Sequence, residues 1–173
     1  MRYDVPILNQ SISPICWVVS AAMVQKYYNS DFDTTLLTGG ASPLNSCIPG
    51  SSGGAFYQGL MDAGFHIVPN PTNSVTENYV NNLLTNHGPM VFTHLCQNFN
   101  YGSTRGRLTS GVHAVVITGL VNNIAYFNNP WGDKDVAIPS SDLIASINQA
   151  ITVYRPLAYA IGSPMPGNVI YQW

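Results

Sequence analysis

Cys16, His113 and the adjoining pair Asn128–Asn129 are the side chains of this 173-residue chain with the types needed for nucleophilic chemistry. A thiol attacks a carbonyl as its thiolate, and the partial positive charge at a helix N-terminus lowers a thiol pKa. Cys16 falls in the first turn of a helix predicted over residues 13–28, with Ser13 as N-cap and Pro14 at the first helical position. The nucleophile needs a base, and a histidine from elsewhere in the chain supplies one. His113 lies in the strand-like stretch GVHAVVITGL (111–120), where its position is rigid. The second ring nitrogen then needs an orienting partner, and Asn128 and Asn129 close the next strand-like stretch.

Local geometry and strand alternation choose between these asparagines. If Asn122-Asn123 forms a two-residue hairpin turn, Val121 opposes Ile124 and Asn128 faces Ile117, on the same strand face as His113. A bulge in the hairpin would bring Asn129 to that face instead.

These residues have to be carried by rigid elements. The spacing of Ile15, Val19, Ala22 and Met23 predicts one buried face on the first helix. Residues 29–54 read as loop. A second helix is expected over 53–65, with Gly64 as its stop, and a third over 76–86 with Tyr79, Val80, Leu83 and Leu84 on one side. Residues 88–95, 111–120 and 123–130 read as strands, 142–150 as a short helix and 151–162 as a further strand with an internal proline. Helices first and strands later indicate an α+β fold. The expected organisation is a single domain over 1–173, with a helical lobe at about 10–87, a β lobe at about 88–173 and the site in a cleft between them.

Composition narrows the function. Only 8% of residues are charged, against 46% hydrophobic, so the surface must be built largely from uncharged polar side chains. The net charge of −2 and the lack of a basic stripe argue against a nucleic-acid partner. No apolar run approaches the ~20 residues that span a bilayer. The first ten residues lack the apolar core of a Sec-type signal peptide. Three cysteines leave at least one thiol outside any intrachain disulfide; Cys47 and Cys96 either pair or stay as buried free thiols.

Several motifs together resemble the papain-like cysteine peptidases. Gln10-x5-Cys16-Trp17 has the spacing of that family's oxyanion-hole glutamine and nucleophile. HAVVITG followed by NNPWG is similar to its HAV…NSWG, which aligns Asn129 with the family asparagine and Trp131 with the tryptophan that covers it. GSSGG (50–54) resembles the family's GCNGG, whose glycines admit substrate backbone. The family disulfide is missing at both ends, where this chain has Ser13 and Ser51. Compact bacterial C39-like and C70-like relatives also fit, although they usually carry Asp where this chain has Asn129.

The resemblance implies acyl transfer through a thioester. It makes Cys16 the nucleophile, His113 the base, Asn129 the orienting residue and Gln10 an oxyanion donor. Gly53, Gly54, Trp17 and Trp131 would contact substrate. No metal or organic cofactor is called for. The expected partner is a protein or peptide substrate. No inhibitory propeptide precedes Gln10, and the surface is charge-poor. The expected setting is therefore a bacterial effector or toxin, secreted or delivered into a target cell and restrained at home by a cognate immunity protein. The alternatives are a C39-like peptidase cutting after Gly-Gly, an NlpC/P60-like peptidoglycan amidase, and a non-catalytic binding module.

Overall fold

The computed structural model describes residues 1–10, 16–32, 57, 59–61, 63–103 and 111–161. Helix α1 spans Cys16–Tyr28, and every residue from Cys16 to Val24 is buried. A helix that is apolar all round belongs in an interior rather than on a surface. The single buried face expected from the sequence is therefore too narrow. The predicted caps, Ser13 and Pro14, lie outside the described residues, as do Gly53, Gly54 and Cys47. Tyr57 and Gly59–Met61 are helical, and the chain leaves this helix through Gly64 at φ 82°, before strand β1 (Phe65–Ile67). Helix α2 (Glu77–His87) is capped by Thr76, whose side chain accepts the Tyr79 N–H, and it buries Val80 and Leu84.

The remaining elements are β2 (Met90–Leu95), a 3-10 turn (Cys96–Asn98), β3 (Val112–Val121), β4 (Ile124–Asn129), β5 (Asp133–Pro139), α3 (Ser140–Ala150) and β6 (Leu157–Ala160). All six strands form one antiparallel sheet in the order β1-β6-β2-β3-β4-β5. Helices and sheet make this an α+β fold, with α1 packed against β3 and β2. Strand β5 was not expected: Asp133, Lys134 and Asp135 break the apolar pattern, leaving Val136 and Ile138 as its buried residues. The predicted strand over 151–162 shortens to four residues, because residues 151–154 form a turn after α3 and Pro156 precedes β6. Among the described residues no helix is long and apolar enough to cross a membrane.

The β3–β4 hairpin turns on Asn122 and Asn123, both at positive φ (50° and 63°), as a two-residue primed turn requires. Near the turn Val121 opposes Ile124 and Gly119 opposes Tyr126. The register then slips by one, so that Ile117 opposes Phe127 and Val116 opposes Asn128. The residue taken up by this bulge is Thr118, whose carbonyl accepts the Tyr3 N–H at 2.7 Å. Next to it Gly119 bridges Arg2, at a place where a Cβ would collide with the backbone of Met1 and Arg2. The N-terminal segment thus crosses the hairpin at its bulge.

Candidate active site

The bulge decides which asparagine meets the histidine. With Asn128 opposite Val116, Asn128 is turned to the strand face away from His113 and Asn129 to the same face. Asn128 is buried and spends its amide on the fold: Nδ2 donates to the Val5 carbonyl and Oδ1 accepts the Asp135 N–H, both at 2.9 Å. The Asn129 Oδ1 lies 2.9 Å from His113 Nε2 and also accepts the Trp131 N–H at 3.3 Å. Its Nδ2 donates to Asp133 at 3.3 Å. An oxygen facing Nε2 must accept, so Nε2 carries the proton. The lone pair of neutral His113 is then on Nδ1.

Trp131 stacks on the imidazole of His113, with ring centroids 4.4 Å apart and planes 21° from parallel. The backbone around it is stitched to the segment that carries Gln10. Asn9 bridges Trp131, and the Gln10 N–H donates to the Pro130 carbonyl at 2.7 Å. Gly132 closes this turn at φ 99°, and a Cβ there would lie 2.9 Å from Asn9 Nδ2.

Helix α1 brings Cys16 to the same end of β3. Ser20, one turn after Cys16, donates to the carbonyl of Ala114, the residue next to His113, at 3.2 Å. Cys16 is 8% exposed at the first described residue of the helix. Trp17 is 3% exposed, with the end of its ring against Gly59; a Cβ on Gly59 would lie 2.7 Å from it.

A second layer lies under His113. His94 on β2 is its direct cross-strand partner, with the two rings 5.8 Å apart and nearly perpendicular. His94 Nε2 bonds the Tyr101 hydroxyl at 2.7 Å. The Tyr101 ring reaches both Trp131 (5.2 Å) and His113 (6.0 Å), and its hydroxyl feels the thiols of Cys96 and Cys16. Burial, reinforced by His113, holds the His94 pKa well below its ordinary 6.5. Burial also pushes the Cys96 thiol up, and Cys96 is a buried free thiol. His113 is driven down to about 4 by burial, with the Asn129 bond acting in the opposite direction. Among the described residues no three His, Cys, Asp or Glu side chains converge as a metal-ligand set.

Sequence reasoning did not assign Tyr101, Asp133 or His94 to the site. The pairing of His94 with His113 follows from the β2–β3 register, and alternation alone does not reveal that. Asp133 stands four residues after Asn129 in NNPWGD, a spacing that a tight turn converts into contact.

Residues 1–141 match the Peptidase_C70 family model, described as papain-like cysteine protease AvrRpt2. No curated protein matches the chain. The fold is similar to a solved structure from Bacillus anthracis described as a C39-like peptidase, with a TM-score of 0.59 at 16% identity over 93% of this chain and 96% of that one. It is also similar to a double glycine motif protease from an AMS/PCAT transporter, solved with the leader peptide, with a TM-score of 0.52 at 20% identity over 91% of each chain. At these identities the two structures speak for the fold.

Proposed function

The chain belongs to the C70 family of papain-like cysteine peptidases, and from that premise we propose that it is an endopeptidase working through Cys16, His113 and Asn129. The cysteine peptidase activity follows from the family; the residues and the substrate are our reading. The observation that carries it is the His113–Asn129 hydrogen bond of 2.9 Å under Trp131, beside the helix turn that begins with Cys16. His113 Nδ1 takes the thiol proton, and the Cys16 thiolate adds to the peptide carbonyl. The Gln10 side chain and the Cys16 N–H stabilise the oxyanion. His113 then protonates the leaving amine, and water releases the acyl group from sulfur.

The test is competition between thiols. Iodoacetamide at neutral pH should alkylate Cys16 at least ~10-fold faster than Cys96, whose pKa is raised by burial. Equal rates at the two sites would remove the nucleophile from this reading. Mapping the proteins cut by the wild type but not by a Cys16 variant identifies the substrate.

The buried imidazole also has a stability signature. Burial holds His113 at about 4 in the folded protein, against 6.5 in the unfolded chain. The unfolded chain therefore binds the extra proton between these values. The contribution of His113 to stability, complete above pH 6.5, is lost as pH falls towards 4, at up to ~1.4 kcal/mol per pH unit. Denaturant melts at a series of pH values measure this slope, and a flat profile over that window would contradict a buried, depressed His113.

The substrate is a protein or peptide. The charge-poor, polar composition supports an exported role, that of an effector or toxin domain acting in a target cell and held in check by an immunity protein in its producer. Toxicity that depends on Cys16 in a recipient cell tests this setting. A second reading, cleavage after Gly-Gly, takes its support from the double glycine motif protease that shares the fold. A panel of Gly-Gly leader-like peptides separates it from general endopeptidase activity.

A further inference from the structure

The carboxylate of Asp133 accepts the Asn129 amide at 3.3 Å, on the side of that amide opposite His113. An asparagine amide is nearly symmetric in shape, and rotated by half a turn it would present N–H groups to the imidazole. Such a rotamer would force Nε2 to accept and move the proton to Nδ1, the nitrogen needed as the base. A carboxylate can only accept, so it selects the rotamer with Oδ1 towards His113.

We propose that Asp133 is a positioning residue of the peptidase: it locks the Asn129 amide and places a negative charge behind the imidazolium that forms during turnover. This rests on the reading of Cys16 and His113 given above. The turn is built for it. Asn129 and Asp133 pair directly across β4 and β5, the Gly132 N–H returns to the Asn129 carbonyl at 2.9 Å, and Gly132 takes a positive φ of 99°. The neighbouring charges are engaged elsewhere, Asp135 with Arg2 and Lys134 with Asp4. Among the described residues, the titratable groups around the imidazole are His94 from β2, Tyr101 from the loop after the 3-10 turn and Cys16 from α1; Asp133 acts from β5 through Asn129.

The test is Asp133→Asn, with Asp133→Ser as a second, smaller replacement. Each should lower kcat about 10-fold with KM within about twofold, as expected for a misplaced catalytic group. The alkaline limb of the kcat/KM profile, which reports loss of the imidazolium proton, should move to lower pH by about one unit, because a supporting negative charge has gone. Adding Asn129→Asp to Asp133→Asn returns the charge one step nearer the ring and should move the limb back up. A limb that stays in place in both single variants overturns the proposal, whatever kcat does. Failure of the wild type to alkylate selectively at Cys16 would instead overturn the underlying assignment of the nucleophile.

Discussion

Cys16→Ala should lower peptidase turnover by at least ~10⁴-fold, with substrate binding and folding close to normal. The rate loss is large because alanine has no sulfur with which to form the thioester. What remains is the catalysis given by oxyanion donors and substrate alignment alone, and in comparable hydrolases that residue of activity is small. Folding should survive because the substitution removes one sulfur atom from the end of a helix buried along nine successive residues. A cavity of that size costs ~1 kcal/mol or so. Thermal melts at neutral pH and binding of an uncleaved substrate are the controls. A variant with wild-type turnover would show that another group is the nucleophile.

The second large effect should separate two adjacent residues. Asn129→Ala should lower kcat about 10²-fold, because His113 loses the acceptor that sets its tautomer and ring orientation. Both asparagines are fully buried and hydrogen-bonded, so both alanine variants should lose thermal stability; turnover of the folded fraction is what separates them. Asn128→Ala abandons the Val5 carbonyl and the Asp135 N–H, which are bonded to a side chain that does not touch His113. Each broken bond to a buried group costs ~1–3 kcal/mol. Asn128→Ala should therefore melt several degrees lower while the folded fraction keeps near-normal turnover. Steady-state kinetics corrected for the folded fraction distinguish the pair, and the opposite ranking would exchange the roles of the two residues.

The hairpin shows what was legible and what was not. Asn122-Asn123 announced a tight turn by chemistry alone, because asparagine tolerates positive φ. Counting back from that turn led to Asn128, since nothing within the hairpin marks Thr118 as surplus. The bulge is tied to Tyr3, which binds the Thr118 carbonyl from 115 residues away, and local pattern carries no trace of such a contact. The motif resemblance pointed to Asn129 because it compares whole strand ends and absorbs the bulge without seeing it. The third helix was legible from Thr76 and its apolar spacing. Strand β5 was hidden by its charges. His94 and Tyr101 were hidden because their meaning lies in cross-strand register and in a hydrogen bond between separate segments.

The N-terminal strap has a further consequence for how the molecule comes into being. Residues 1–10 leave the ribosome well before their partners, which are Thr118, Gly119, Leu120, Val5-bound Asn128, Pro130 and Trp131. Such distant pairing delays folding, since loop closure must come before its reward. Gln10 and the Asn129 turn cannot be joined until the 120 residues that follow Gln10, up to and including Pro130, have been translated. A nascent chain interrupted before Asn129 holds the Cys16 thiol without the His113–Asn129 hydrogen bond, so the order of synthesis leaves the joining of these groups to a later step.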